Sequence, residues 1–300
     1  MPKATANGVE LEYEMHGPAD GPPLLLVGGL GVQIPSWSET LIASLVAEGF
    51  RVIVYDNRDI GLSTRHDDWG PADIPGAFAK ARAKEPVPAP YTLETLADDG
   101  AALLDALGIA KAHVLGSSNG GAIAQTLAIR HAGKLASLTS VMATSGRRGL
   151  PRPSEASAAW LSRPRNPKGT REGAMEDAVD TAHTNGSPGF PRDEAANRAK
   201  AALLYDRAFN PAGNSRQHLA SIASADARVA HLSSITAPTL VIHGREDPLV
   251  PLGCAEDVRD TIPGATMLVI DGMGHDYPDG AVPEIVAAIR GHVDSTLGRV

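Results

Sequence analysis

Between residues 112 and 131 the chain runs from a short apolar block, AHVL, straight into Gly116-Ser117-Ser118-Asn119-Gly120. It leaves through a stretch whose small residues, Gly121, Ala122, Ala124 and Ala128, share one side of a helix. A strand that turns into a helix without a spacer crowds the backbone, and glycines on both sides of the turn relieve the crowding. The small helix face needs a close seat, and the apolar strand needs neighbours on both faces. Such a unit fits an architecture of alternating strands and helices around a mostly parallel sheet.

The rest of the sequence repeats the alternation. Residues 9–15 alternate weakly and predict an edge strand. Residues 23–27 (PLLLV) form a continuous apolar run, as a strand covered on both faces requires. Further strands are predicted at 51–55 (RVIVY), 112–115, 135–142, 238–242 (PTLVI) and 265–270 (ATMLVI). Helical spacing of apolar residues appears at 37–48, 93–107, 120–131 and 283–293. Two segments break the rhythm. Residues 65–90 carry five prolines around a short helical piece, 74–83. Residues 145–235 show helical stretches at 170–184, 192–209 and 215–225 and no clear strand. These patterns predict a core made of residues 1–144 and 236–300, with a helical cap, 145–235, inserted over the sheet edge where open α/β sheets bind ligands.

Composition narrows the function classes. The 300 residues carry a formal net charge of −8, which argues against a nucleic-acid partner. No run approaches the roughly 18 apolar residues of a membrane helix. The one cysteine, Cys254, cannot form an internal disulfide. The first residues lack the apolar centre of a signal peptide, so a cytoplasmic location is expected. No H-E-x-x-H, no C-x-x-C and no phosphate-loop pattern occurs, so neither a metal nor another cofactor is expected. The sequence leaves the oligomeric state open.

The chemistry centres on Ser118, the middle residue of the G-x-S-x-G pattern. Its position at a helix start aims backbone amides and the positive dipole end at a developing oxyanion. A serine in a tight turn can also be a simple helix cap. A nucleophilic serine needs a base. Among the ten histidines, His275 stands out in the loop Asp271-Gly272-Met273-Gly274 that follows the last predicted strand. His243 ends a strand and is a weaker rival, while His16, His113 and His131 read as structural. Asp247 follows PTLVIHGRE just past a strand end and is the expected acid. Glu246, Asp271 and Asp276 are its rivals. The chain order Ser118, Asp247, His275 matches one known order of such triads. The second oxyanion donor is expected from the loop Gly28-Gly29-Leu30-Gly31, which makes the backbone N–H groups of Leu30 and Asn119 the two donors.

At this point the chain resembles the α/β-hydrolase-fold serine esterases of the aclacinomycin-methylesterase-like family. The resemblance rests on PPLLLVGGLGVQIPSW, FRVIVYDNRDIGLST, AHVLGSSNGGAIAQ, PTLVIHGREDPLVP and IDGMGHDYP. It implies a twisted, mostly parallel sheet with helices on both faces, and the same roles for Ser118, Asp247 and His275. Three positions depart from the family pattern. Gly28-Gly29 stands where many relatives have His-Gly, so a histidine that braces the oxyanion loop is missing. Asn119 stands where many have methionine and makes the site more polar. Asp59 replaces a glycine in the stretch Asp56-Asn57-Arg58-Asp59, of which Asp56 and Arg58 are read as structural braces near the nucleophile turn.

The expected activity is hydrolysis of a small-molecule carboxylic ester, with a small to medium acyl group or a methyl ester, through an acyl-enzyme on Ser118. Gly29, Trp37 and Trp160 are the expected substrate-binding residues, with Trp69 and Phe190 as further candidates. Thioesterase, lactonase, perhydrolase and carbon–carbon hydrolase chemistry use the same triad, and a non-catalytic receptor could use the same scaffold. Residues 147–171 hold seven basic residues against one acid, Glu155. They read either as a solvated loop or as a lip that attracts anions.

Overall fold

A computed structural model describes residues 2–163, 166 and 168–297. The chain begins with β1 (Lys3–Ala6), β2 (Val9–His16), β3 (Pro23–Val27), α1 (Glu39–Ala47), β4 (Arg51–Tyr55), α2 (Ile74–Ala83) and α3 (Leu93–Ala106). It continues through β5 (Ala112–Ser117), α4 (Asn119–Arg130) and β6 (Leu135–Val141). Four helices follow: α5 (Glu155–Ser162), α6 (Arg171–Asn185), α7 (Glu194–Ala208) and α8 (Pro211–Ala223). The last elements are β7 (Thr239–Gly244), α9 (Leu252–Thr261), β8 (Thr266–Ile270) and α10 (Val282–Leu297).

The strands form one eight-stranded sheet in the order β1-β2-β4-β3-β5-β6-β7-β8. The β1–β2 and β2–β4 pairs are antiparallel, and the other pairs are parallel. Residues 9–15 were expected at the sheet edge, but β2 lies inside it. The outer position belongs to β1, whose four residues, KATA, are too short and polar to announce a strand. Its pairing places Lys3 opposite Glu12 and Ala6 opposite Val9.

The pleat sorts the apolar residues onto two faces. Leu25, Val27, Ile53 and Val114 point to one side, where they meet Leu96, Leu103 and Leu127 of α3 and α4 and Val258 of α9. Leu24, Leu26, Val52 and Leu115 point to the other, against Leu41 and Leu45 of α1 and Ile285 and Ile289 of α10. Both faces are thus covered, which is why PLLLV and RVIVY carry no polar alternation.

Helix starts follow local capping chemistry. α1 begins at Glu39 because the Ser38 side chain accepts the Leu41 N–H; Trp37, expected inside the helix, precedes it and is buried in the core. α8 starts at Pro211, earlier than expected, because Asn210 caps Gly213 and proline suits the first turn. α5 was missed; Ser154 caps it, but EASAAWLS has no apolar stripe to signal it.

Helices α5–α8 all lie between β6 and β7. With the loops that leave the C-terminal ends of β3, β5, β7 and β8, they enclose a cleft of ≈ 1470 Å³. Parallel strands put those four loops on the same edge of the sheet, which is how residues far apart in sequence meet there.

Candidate active site

Ser118 sits at the junction of β5 and α4 with φ 55° and ψ −122°. A non-glycine residue in this region is strained, and such strain persists only where neighbours fix it. Here the Ser118 N–H donates to Val141 O (2.9 Å), and Ser118 O accepts from Gly121 N (2.9 Å). The flanking glycines are sterically required. A Cβ on Gly116 would lie 2.2 Å from Gly120 O, and one on Gly120 would lie 2.1 Å from Val27 O.

Ser118 Oγ is 2.9 Å from His275 Nε2, and His275 Nδ1 is 2.7 Å from Asp247 Oδ2. Asp247 is buried, and its Oδ1 accepts the N–H groups of Leu249 (2.9 Å) and Val250 (2.8 Å). These bonds fix the carboxylate before it meets the imidazole. His275 is held from behind by its own N–H, which donates to Asn185 O (2.7 Å). With Nδ1–H given to the carboxylate, the Nε2 lone pair faces the serine hydroxyl, the orientation a general base requires.

The rivals have other partners, although His243 Nε2 also lies 3.5 Å from Asp247 Oδ2 and Asp276 lines the cleft. His243 Nε2 donates to Val250 O (2.7 Å), and burial lowers its pKa, with Asp247 acting in the opposite sense. Glu246 accepts from Gly272 N (2.6 Å), Asp271 pairs with Arg245 (2.5 Å), and Asp276 accepts from Ser187 N (3.1 Å). His113 bonds Ser137 Oγ (2.8 Å) inside the sheet, His131 bonds Asp98 (2.7 Å), and His16 lies 3.3 Å from Glu14.

The glycine loop after β3 lies directly on the serine turn. A Cβ on Gly29 would be 3.1 Å from Ser117 O and 3.2 Å from Ser118 Cβ. Among the described residues, neither Leu30 N nor Asn119 N donates to an intramolecular acceptor. The loop is held by side chains that sequence reading missed. Asn57 Nδ2 donates to Gly28 O (3.2 Å), and Gln217 Oε1 accepts from Gly31 N (2.7 Å). Asn57 stands inside the D-N-R-D stretch, so a signal existed. Gln217 lies 186 positions from Gly31, and no local pattern could have found it.

Asp56 braces this region as expected, accepting from Ile34 N (2.7 Å), Leu62 N (2.8 Å) and Arg207 Nη1 (2.8 Å). Arg58 does not brace the serine turn. It turns away to Asp99 of α3, with Nε at 2.6 Å.

Gly29, Trp37, Trp160 and Phe190 line the cleft. Trp69 does not; it is 44% exposed and stacks on the His66 ring at 3.9 Å. The basic segment is largely paired with carboxylates: Arg147 with Asp257, Arg148 with Asp226, Arg163 with Asp177 and Asp180, Lys168 with Glu176, and Arg171 with Asp206. An anion-attracting lip therefore loses most of its free charge. Arg165 lies outside the described residues. Among the described residues no helix is long and apolar enough to cross a membrane, and no cluster of three or more metal-binding side chains occurs.

A family model described as alpha/beta hydrolase fold matches residues 22–278. The chain is 32% identical to the rhodomycin D methylesterase of Streptomyces sp. (strain C5), over 92% of this chain and 91% of that one. It is 31% identical to the rhodomycin D methylesterase of Streptomyces peucetius, with coverage of 92% and 91%. A solved thermophilic esterase from Thermogutta terrifontis superposes with a TM-score of 0.70 at 26% identity, covering 98% of each chain.

Proposed function

The chain belongs to the α/β-hydrolase fold family, and from that premise we propose that it is a serine hydrolase of carboxylic esters. The observation that carries this reading is the hydrogen-bonded line Ser118–His275–Asp247, at 2.9 and 2.7 Å, beside two backbone N–H groups without acceptors among the described residues. The names of the two methylesterases and of the thermophilic esterase support the same chemistry.

In this mechanism neutral His275 takes the Ser118 proton as Oγ attacks the ester carbonyl. The N–H groups of Leu30 and Asn119 hold the oxyanion, and Asp247 stabilises the imidazolium. His275 then protonates the departing alcohol. Water, activated by the same imidazole, releases the acid and restores Ser118. Helices α5–α8 act as the cap, with Gly29, Trp37 and Trp160 contacting a small to medium acyl or methyl ester. Thioesters and lactones pass through the same tetrahedral species and are the nearest alternative substrates.

The test is hydrolysis of p-nitrophenyl esters from acetate to laurate by wild type, Ser118→Ala and Asp247→Asn. Wild type should turn over, and each variant should lose roughly a thousandfold or more in kcat. Full activity in folded Ser118→Ala would remove Ser118 as nucleophile. Binding without turnover in wild type would favour a receptor on the same scaffold.

A further inference from the structure

Two carboxamide side chains flank the reacting pair. Asn119 follows the nucleophile directly. Asn185 closes α6 and holds His275 through its carbonyl oxygen. Both residues line the cleft. The Oδ1 and Nδ2 atoms of both side chains are buried and have no hydrogen-bond partner among the described residues. Asn185 is 2% exposed. Trp37 Nε1, a further buried donor without an acceptor among the described residues, lines the same cleft.

Buried polar atoms are almost always paired, because burial removes their bonds to water with nothing in return. Unpaired buried atoms occur elsewhere in the molecule, but here four amide atoms on two residues gather beside one serine–histidine pair and line one cleft. Packing supplies no explanation: an apolar residue of similar size would fill either position without the desolvation cost. A ligand with complementary groups does explain them. Each carboxamide offers one donor group and one acceptor. A hydroxyl can satisfy either, and a keto oxygen satisfies the donor. A plain hydrocarbon acyl chain would leave all four atoms unpaired inside the filled cleft. Sites built to hydrogen-bond a substrate discriminate strongly against analogues that lack the group.

We propose that Asn119 and Asn185 form a recognition pair that selects esters whose acyl part carries a hydroxyl or keto oxygen near the scissile carbonyl. This rests on the reading of Ser118 as an esterase nucleophile. Asn119 and Asn185 are specificity residues here, separate in role from the proton-transfer groups.

The experiment compares matched esters by pH-stat: methyl mandelate against methyl phenylacetate, and methyl acetoacetate against methyl butyrate. Wild type should prefer the oxygenated member of each pair by about tenfold or more in kcat/KM. Asn185→Leu and Asn119→Met should each reduce that ratio several-fold, whatever their effect on the absolute rate with the plain ester. Asn185→Ser serves in place of Asn185→Leu if circular dichroism shows that the leucine variant does not fold. A wild-type ratio near one overturns the proposal and leaves the esterase reading standing. Equal losses on both members of a pair overturn it too, because a merely structural role would lower both together. Failure of wild type to cleave any ester, or undiminished cleavage by folded Ser118→Ala, overturns the esterase reading and this proposal with it.

Discussion

Arg216 lays its guanidinium edge along Asp59, with Nε 2.9 Å and Nη2 2.7 Å from the two carboxylate oxygens, and both side chains are closed off from solvent. Burial opposes ionisation of Asp59, but Arg216 and the His66 N–H outweigh it and hold the carboxyl below its usual range. The pair ties α8 to the loop after β4, and Arg207 of α7 makes a second buried pair with Asp56 beside it. The helices over the cleft are thus anchored to the sheet by charge as well as by packing.

Breaking one partner leaves an uncompensated buried charge, whereas removing both does not. Asp59→Gly and Arg216→Leu should therefore each destabilise the fold by about 3–5 kcal/mol. Asp59→Gly combined with Arg216→Leu should recover much of that loss, because Asp59 has φ 67° and glycine adopts that conformation freely. Urea unfolding of the single and double variants measures the coupling. Single variants with wild-type midpoints would show that the pair contributes nothing.

The loop that carries Leu30 has glycine, not histidine, at position 28, and its support comes from elsewhere. A Cβ at Gly28 would sit 2.9 Å from Val32 Cγ1, so a histidine there would have to displace Val32. Asn57 supplies the brace instead, through Gly28 O. Asn57→Ala should lower kcat on a p-nitrophenyl ester about tenfold with a much smaller change in KM, because a misplaced oxyanion donor is felt mainly in the transition state. A rise in KM at constant kcat would instead make Asn57 a ground-state binding residue.

The elements that position the site were legible because each carries its own periodicity or motif. Strands buried on both faces read as PLLLV or RVIVY, and the serine turn announced itself through glycines that the geometry requires at 116 and 120. The loops holding Asp247 and His275 could be placed because each follows a short apolar run that reads as a strand, PTLVI and ATMLVI. The supports of the site were less legible. Asp59 finds Arg216 at a separation of 157 positions, and Gln217 finds Gly31 at 186, so only the folded chain joins them. Trp69 was a candidate for the cleft by residue type alone, which carries no direction; the structure turns it outward onto His66. Asn185 gave no signal, since an asparagine at a helix end is ordinary.

Acid should destabilise the protein in two stages, and His113 sets the first. Burial, with lesser contributions from His292 and Arg290, lowers its pKa from 6.5 to about 4. The folded state therefore keeps His113 neutral where the unfolded chain already binds a proton. Stability is fully present above pH 6.5 and is lost as pH falls towards about 4. His243, also lowered by burial, acts in the same direction. The second stage belongs to Asp59, whose carboxyl is held below its usual range, so its contribution is lost only at lower pH, as it takes up a proton in the folded state. Urea midpoints of wild type and His113→Asn, followed from neutral pH downwards, separate the stages. The variant should be less stable at neutral pH, because the bond to Ser137 Oγ is altered, yet its acid limb should be shallower, with about one proton fewer taken up on unfolding. Parallel curves for the two proteins through this range would mean that His113 titrates alike in both states.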